Sequence, residues 1–222
     1  MRKFSPLLVL LVATVAHGAS LCESGKNQSP VDIQSARREP LPALVPAYAS
    51  VPLKLTNDAH TVRVRLKGAG QLQIGQTRYT LDQFHFHTPG GDRIAGEEFP
   101  MAAHILHRSP SGQLLGVVVL MRVGSNNALL DKLLPRIPAK AGETQLVPGF
   151  SVSAAELLPV NKSYYRYTGS LTAEPCTEGV EWVVLKQSIE LSAGQLALYK
   201  KHFADNMRGP QPLHQRVVLE SP

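Results

Sequence analysis

Short stretches in which apolar and polar residues alternate, each cut off by Gly, Pro, Asn or Ser, recur along this chain, while helical periodicity is scarce. Each such stretch can bury only one face, so the stretches must lie side by side and share a core, which specifies a mainly β protein with many turns. The alternation predicts strands over Leu53–Leu55, Thr61–Arg65, Gln71–Ile74, Thr77–Leu81, Gln83–His87, Ala102–His107, Leu114–Val123 and Val180–Leu185. Helices are predicted at Ala128–Leu134 and Ser192–Asn206, the second with Ser192 as its N-cap. Pro40, Pro42 and Pro46 predict an extended surface loop from Arg38 to Tyr48.

The chain has 222 residues, 43% of them hydrophobic, enough for one well-buried domain, and no linker or repeat divides it. Residues 1–18 read as a secretory signal: Arg2 and Lys3 open it, Leu7 to Ala16 form an apolar run too short to span a bilayer, and Ala16-His17-Gly18 offers a cleavage site. Residues 19–222 then form the single mature domain, with no membrane span and a periplasmic or secreted location. A lipoprotein alternative would use Cys22, but Leu21 stands where a small residue is expected. In an oxidising compartment Cys22 and Cys176 are expected to pair, which loop entropy would make worth roughly 4–5 kcal/mol at most; two unpaired buried thiols are the alternative. With 23 Lys+Arg and 17 Asp+Glu the formal charge is +6, and it falls to +4 once Arg2 and Lys3 leave with the signal. The basic residues are scattered without an aromatic platform, which argues against nucleic acid as a partner.

In the stretch "LDQFHFHTPGGDRIAGEEFPMAAHIL", His85 and His87 are two residues apart on one predicted strand and so share a face, with Phe84 and Phe86 turned to the other. His104 lies on a second strand that the intervening residues can return alongside. Three imidazoles and an open position suit a catalytic zinc ion, whereas histidines in strands are also found simply hydrogen-bonded in a core. Spacing alone leaves both readings open.

Seven separated stretches carry a resemblance: "GKNQSPVDI", "NDAHTVRV", "FHFHTP", "FPMAAHILH", "YYRYTGSLT", "EWVVLK" and "NMRGPQPL". In this set and order the chain resembles the α-class carbonic anhydrases, especially their exported bacterial branch. The resemblance implies a central twisted, largely antiparallel sheet with a few peripheral helices and a cone-shaped cleft. It implies zinc held by His85, His87 and His104, with Gln83 and the backbone carbonyl of Asn206 fixing the first two rings. It implies reversible hydration of carbon dioxide to bicarbonate and a proton, by attack of a zinc-bound hydroxide on the gas held against Leu106, Leu171 and Trp182. Thr172 is implied to orient that hydroxide and His60 to relay the proton, histidine being the residue type suited to relay near neutrality. His107, on the opposite face from His104, is expected to be structural, and His202 and His214 to have no task.

Five features depart from the family pattern. Gly91 stands in place of the glutamate that takes the threonine's proton; neighbouring Asp92 would replace it only if the turn bends inward. Ala102 replaces the glutamate behind His104. Ala173-Glu174 replace a Thr-Pro, and Gly116 replaces a valine and would widen the pocket. The aromatic N-terminal segment that covers the family's cleft is expected to be missing, since Cys22 follows the signal so closely. These changes leave a second reading: a zinc-retaining, weakly active or inactive binding module.

Overall fold

The computed structural model describes residues 20–222, so the signal read over residues 1–18 lies outside the described residues. The main strands are β1 (Leu44–Tyr48), β2 (Val51–Asn57), β3 (Val62–Arg65), β4 (Gly70–Ile74), β5 (Thr77–His87), β6 (Met101–Arg108), β7 (Leu114–Val123), β8 (Thr144–Val152), β9 (Tyr164–Ser170) and β10 (Glu178–Leu185). The longer helices are α1 (Ala128–Leu133) and α2 (Ala193–His202). One 13-stranded sheet holds these strands in the order β8-β2-β3-β5-β6-β7-β10-β9, continued by Leu219–Glu220 and Arg37–Arg38, with β4 linking β5 to β1. Neighbours are mostly antiparallel, but β7 and β10 run parallel from Leu115↔Glu181 to Val118↔Val184.

The alternation seen in the sequence sets which face each residue takes. Val62 and Val64 of β3 are buried while Arg63 and Arg65 point away from the core. One face of the sheet carries the larger core, including Leu53, Leu55, Phe84, Phe86 and Ile105, with Leu129, Leu130 and Leu133 of α1 packed on it. A smaller cluster holds Val31, Phe99, Ala102, Val118, Tyr167 and Trp182. Phe84 and Phe86 are both fully buried, and truncating either to alanine would cost about 3–5 kcal/mol in lost transfer energy and cavity formation.

Three expectations need correction. The segment predicted as a loop from Arg38 to Tyr48 contains β1, paired antiparallel with β4. Pro46 is accommodated because β1 is an edge strand, where one side of the backbone has no partner. The strands expected at Thr77–Leu81 and Gln83–His87 are one strand, β5. The helix expected to reach Asn206 stops at His202: Ser192 caps it, its Oγ accepting from Gln195 N, but Asp205 adopts φ 51° and Asn206 leaves the helical path.

Cys22 and Cys176 form a disulfide with a Cα–Cα distance of 5.0 Å, tying the first described turn to the segment after β9. Among the described residues no helix is long and apolar enough to cross a membrane.

Candidate metal centre

β5 supplies two of the three histidines, and an irregularity in it decides where they point. Leu81 pairs with His107 but Gln83 pairs with Leu106, which leaves Asp82 as one extra residue. Tyr79 and Leu81 face the core before this bulge, and Phe84 and Phe86 face it afterwards. The bulge thus switches sides, so Gln83, His85 and His87 line a cleft instead of entering the core. On the adjacent β6, His104 is registered opposite His85, with Ala103 and Ile105 in the core on either side of it in sequence.

The ring centroids lie 4.8 Å apart for His85 and His87, 5.4 Å for His85 and His104, and 4.5 Å for His87 and His104. One nitrogen from each ring lies within 4.8 Å of the other two. His85 Nδ1–H donates to Gln83 Oε1 at 3.1 Å and His87 Nδ1–H donates to the Asn206 carbonyl at 3.1 Å. Both acceptors are oxygens, so these bonds fix the tautomers and leave each Nε2 lone pair free. Burial lowers the pKa of His85 and His104 well below the ordinary histidine value, reinforced by the neighbouring imidazoles, and lowers that of His87 to about 4. All three rings are therefore neutral at neutral pH, the form that binds a metal.

His87 Nε2 and both nitrogens of His104 are buried without a hydrogen-bond partner among the described residues. An unpaired buried polar atom costs about 1–3 kcal/mol, so such atoms converging on one point fit a metal ion as their shared partner. Three neutral nitrogen donors with one side open to a cleft match a catalytic zinc site.

Asn206 holds this corner together through more than its carbonyl. Its Nδ2 donates to the His60 carbonyl at 2.7 Å and the Phe86 carbonyl at 3.2 Å, and its Oδ1 accepts from Thr88 N at 2.7 Å. The cleft, of about 490 Å³, is lined by the three histidines, Gln83, His60, Thr172, Leu106, Leu171 and Trp182, while Asn206 lies behind His87 and outside the lining. His60 is exposed, on a turn held by Asp58 Oδ1, which accepts from His60 N at 3.1 Å and Thr61 N at 2.8 Å. Thr172 sits in the turn after β9, closed by Leu171 N donating to Thr177 O at 3.0 Å and Cys176 N donating to Ala173 O at 2.9 Å.

The family departures have specific structural outcomes. Gly91 has φ +88°, and a Cβ there would lie 2.9 Å from Met207 Cγ, so Met207 fills the space a side chain would need. Asp92 does not bend toward Thr172. It is buried, its Oδ1 accepting from Val31 N at 3.0 Å and Tyr167 O–H at 2.8 Å. Gly116 does not widen the cleft either: a Cβ there would lie 2.5 Å from Trp182 Cε3, so the indole occupies that room. Ala102 offers His104 only a methyl group, consistent with the unpartnered His104 nitrogens. His107, on the core side, donates or accepts at Nε2 with Tyr48 O–H at 2.7 Å, away from the imidazole cluster.

Sequence reasoning missed Val180 and Arg63, both of which line the cleft. The signal for each was the two-residue period: Val180 shares a face with Trp182, and Arg63 lies opposite His85 in the β3–β5 register. Met207 gave no such signal, because its role depends on a distant glycine.

A sheet carrying a cleft with three convergent imidazoles at its floor defines a metalloenzyme. The chain belongs to the eukaryotic-type, or α-class, carbonic anhydrase family, whose sequence model it matches over residues 15–222. It is 40% identical over 202 residues to a carbonic anhydrase of Neisseria gonorrhoeae, covering 90% of this chain and 79% of that protein. The solved α-carbonic anhydrase of Thermovibrio ammonificans, in complex with sulfanilamide, superposes with a TM-score of 0.85 at 37% identity, covering 90% of this chain and 89% of that one. Dioscorin dioA3 of Dioscorea japonica is 33% identical over 207 residues, covering 89% of this chain and 76% of that protein.

Proposed function

We propose that the protein reversibly hydrates carbon dioxide to bicarbonate and a proton, with one zinc ion held by His85, His87 and His104, and that it works in the periplasm or as a secreted protein. The observation that carries this reading is the convergence of three neutral imidazoles, with buried unpaired nitrogens, on the floor of an apolar-walled cleft. The signal-like N-terminus and the Cys22–Cys176 disulfide support export.

Zinc bound there supplies Lewis acidity, which in this family makes a water-derived nucleophile available at neutral pH. Gln83 and the Asn206 carbonyl keep two ligand rings from rotating, so they hold their free nitrogens on one point. Leu106, Leu171, Val180 and Trp182 give an uncharged gas a wall to lie against, which dispersion favours and water does not contest. Thr172 presents its hydroxyl to the reacting oxygen. His60, exposed at the rim, accepts the released proton at a ring nitrogen and passes it to solvent. With no carboxylate at position 91 and Asp92 committed elsewhere, Thr172 orients less strictly. With Ala102 behind it, His104 lacks the partner that usually steadies a ligand ring. Loss of one such partner costs about 10- to 100-fold in affinity or activity.

Metal analysis of the untreated protein, joined to stopped-flow carbon dioxide hydration, tests the reading. One zinc per chain and hydration abolished by a sulfonamide are expected, as is loss of zinc in His104→Ala on dialysis against chelator. Full zinc retention by His104→Ala would remove the ligand assignment. Zinc-loaded protein no faster than free zinc would leave the binding module in place of the enzyme.

A further inference from the structure

Arg63 stands on the polar side of the cleft, and none of the steps above uses it. It is registered directly opposite His85 across β3 and β5, and it lines the same space as the three imidazoles. Its Nη2 contacts Asp58 Oδ2 at 2.5 Å. The other oxygen of Asp58 is taken by His60 N and Thr61 N, so this carboxylate is engaged in holding the turn. Arg63 Nε–H is buried and has no partner among the described residues.

A guanidinium carries five donors in a planar fork that matches small oxyanions, and Asp58 occupies only part of that fork. The other acidic residue lining the cleft besides Asp58 is Glu174, which is exposed. A neutral gas gains nothing from a fixed cation at this place, but a monoanion does. We propose that Arg63 is an anion-binding element of the cleft, gripping a small planar oxyanion beside the three imidazoles. The identity of that anion as bicarbonate rests on the hydratase reading; the preference for an anion does not.

The chain contains a single tryptophan, Trp182, and it lines the same cleft, so its fluorescence reports what enters. The zinc-loaded protein is titrated with iodide, an anionic quencher, and with acrylamide, a neutral one, each with and without bicarbonate. Because a fixed charge concentrates counter-ions locally, Arg63→Gln is expected to lower the iodide quenching constant about fivefold while leaving acrylamide within about twofold. Arg63→Lys retains most of the iodide effect. Asp58→Asn keeps Oδ1 for the turn but removes the competing charge, so it raises the iodide constant, whereas a purely structural Arg63–Asp58 pair would make both variants respond alike to both quenchers. Bicarbonate protects the unmodified protein from iodide and does not protect Arg63→Gln. An iodide constant unchanged by Arg63→Gln overturns the proposal. Hydration measured on the same samples separates the two readings: active protein whose iodide quenching ignores Arg63 sinks the anion site alone, and inactive protein with Arg63-dependent quenching sinks the hydratase alone.

Discussion

Gly91 and Met207 should behave as one packing unit, and a double-mutant cycle measures this. Gly91→Ala forces a Cβ onto a backbone with φ +88°, which costs an L residue about 1–2 kcal/mol. The same Cβ meets Met207 Cγ at 2.9 Å, Cε at 3.1 Å and Sδ at 3.2 Å, an overpacking worth about 1–3 kcal/mol. The single variant is therefore expected to lose about 2–5 kcal/mol of unfolding free energy. Met207→Ala alone removes a nearly buried side chain, at a cost near the low end of the usual 2–5 kcal/mol. It also deletes all three crowding atoms, so in its background Gly91→Ala should cost only the backbone part. Urea unfolding of the four proteins should return a favourable coupling of about 1–3 kcal/mol. Costs that add within about 0.5 kcal/mol would refute the packing argument. The same logic governs the missing carboxylate: Gly91→Glu alone should mostly destabilise, and only together with Met207→Ala can it test whether Thr172 gains an acceptor.

Burial raises the Asp92 carboxyl from its ordinary value to about 6, so the fold disfavours its charge: this group's contribution to stability is fullest below pH 4 and is lost as pH rises through 6. Asp92→Asn should remove that decline, and its stability relative to the original should improve by up to about 3 kcal/mol between pH 4 and 7, at 1.36 kcal/mol per unit; a gap that does not change with pH in urea titrations contradicts this. The disulfide closes a loop of sequence separation 154, and Cys176→Ser should cost about 2–5 kcal/mol in unfolding free energy while loosening the turn that carries Thr172, with hydration falling alongside. Equal stability with and without reductant would argue against it. His60→Ala should slow turnover in weak buffer and recover on adding imidazole, whereas indifference to buffer would take His60 out of proton transfer.

That His85 and His87 share a face was legible because a strand's two-residue period is local, whereas adding His104 to them as a ligand set came from the family resemblance. Much of the strand pattern was readable from the same local period, as in β3, where Val62 and Val64 are buried and Arg63 and Arg65 turn away. What escaped notice depends on partners far along the chain. The prolines of Arg38–Tyr48 hid β1, since whether Pro46 is tolerable depends on that strand lying at an edge. Gly116 looked like added space until Trp182 was seen lying across it, and Gly91 looked like a simple deletion until Met207 was found in its place. Asn206 was expected to contribute a carbonyl, but its side chain also joins the His60 turn to the end of β5, a link between residues 146 apart in sequence.

The extra residue at Asp82 also bears on how reliably the molecule assembles. Sliding β5 by one position would push two imidazoles into hydrocarbon and present two phenyl rings to water, so a mispaired chain is heavily penalised. Correct pairing of β5 with β6 and gathering of the three ligands are consequently a single event. The same pairing that hides Phe84 and Phe86 in the core therefore also aims the metal-binding rings at one another.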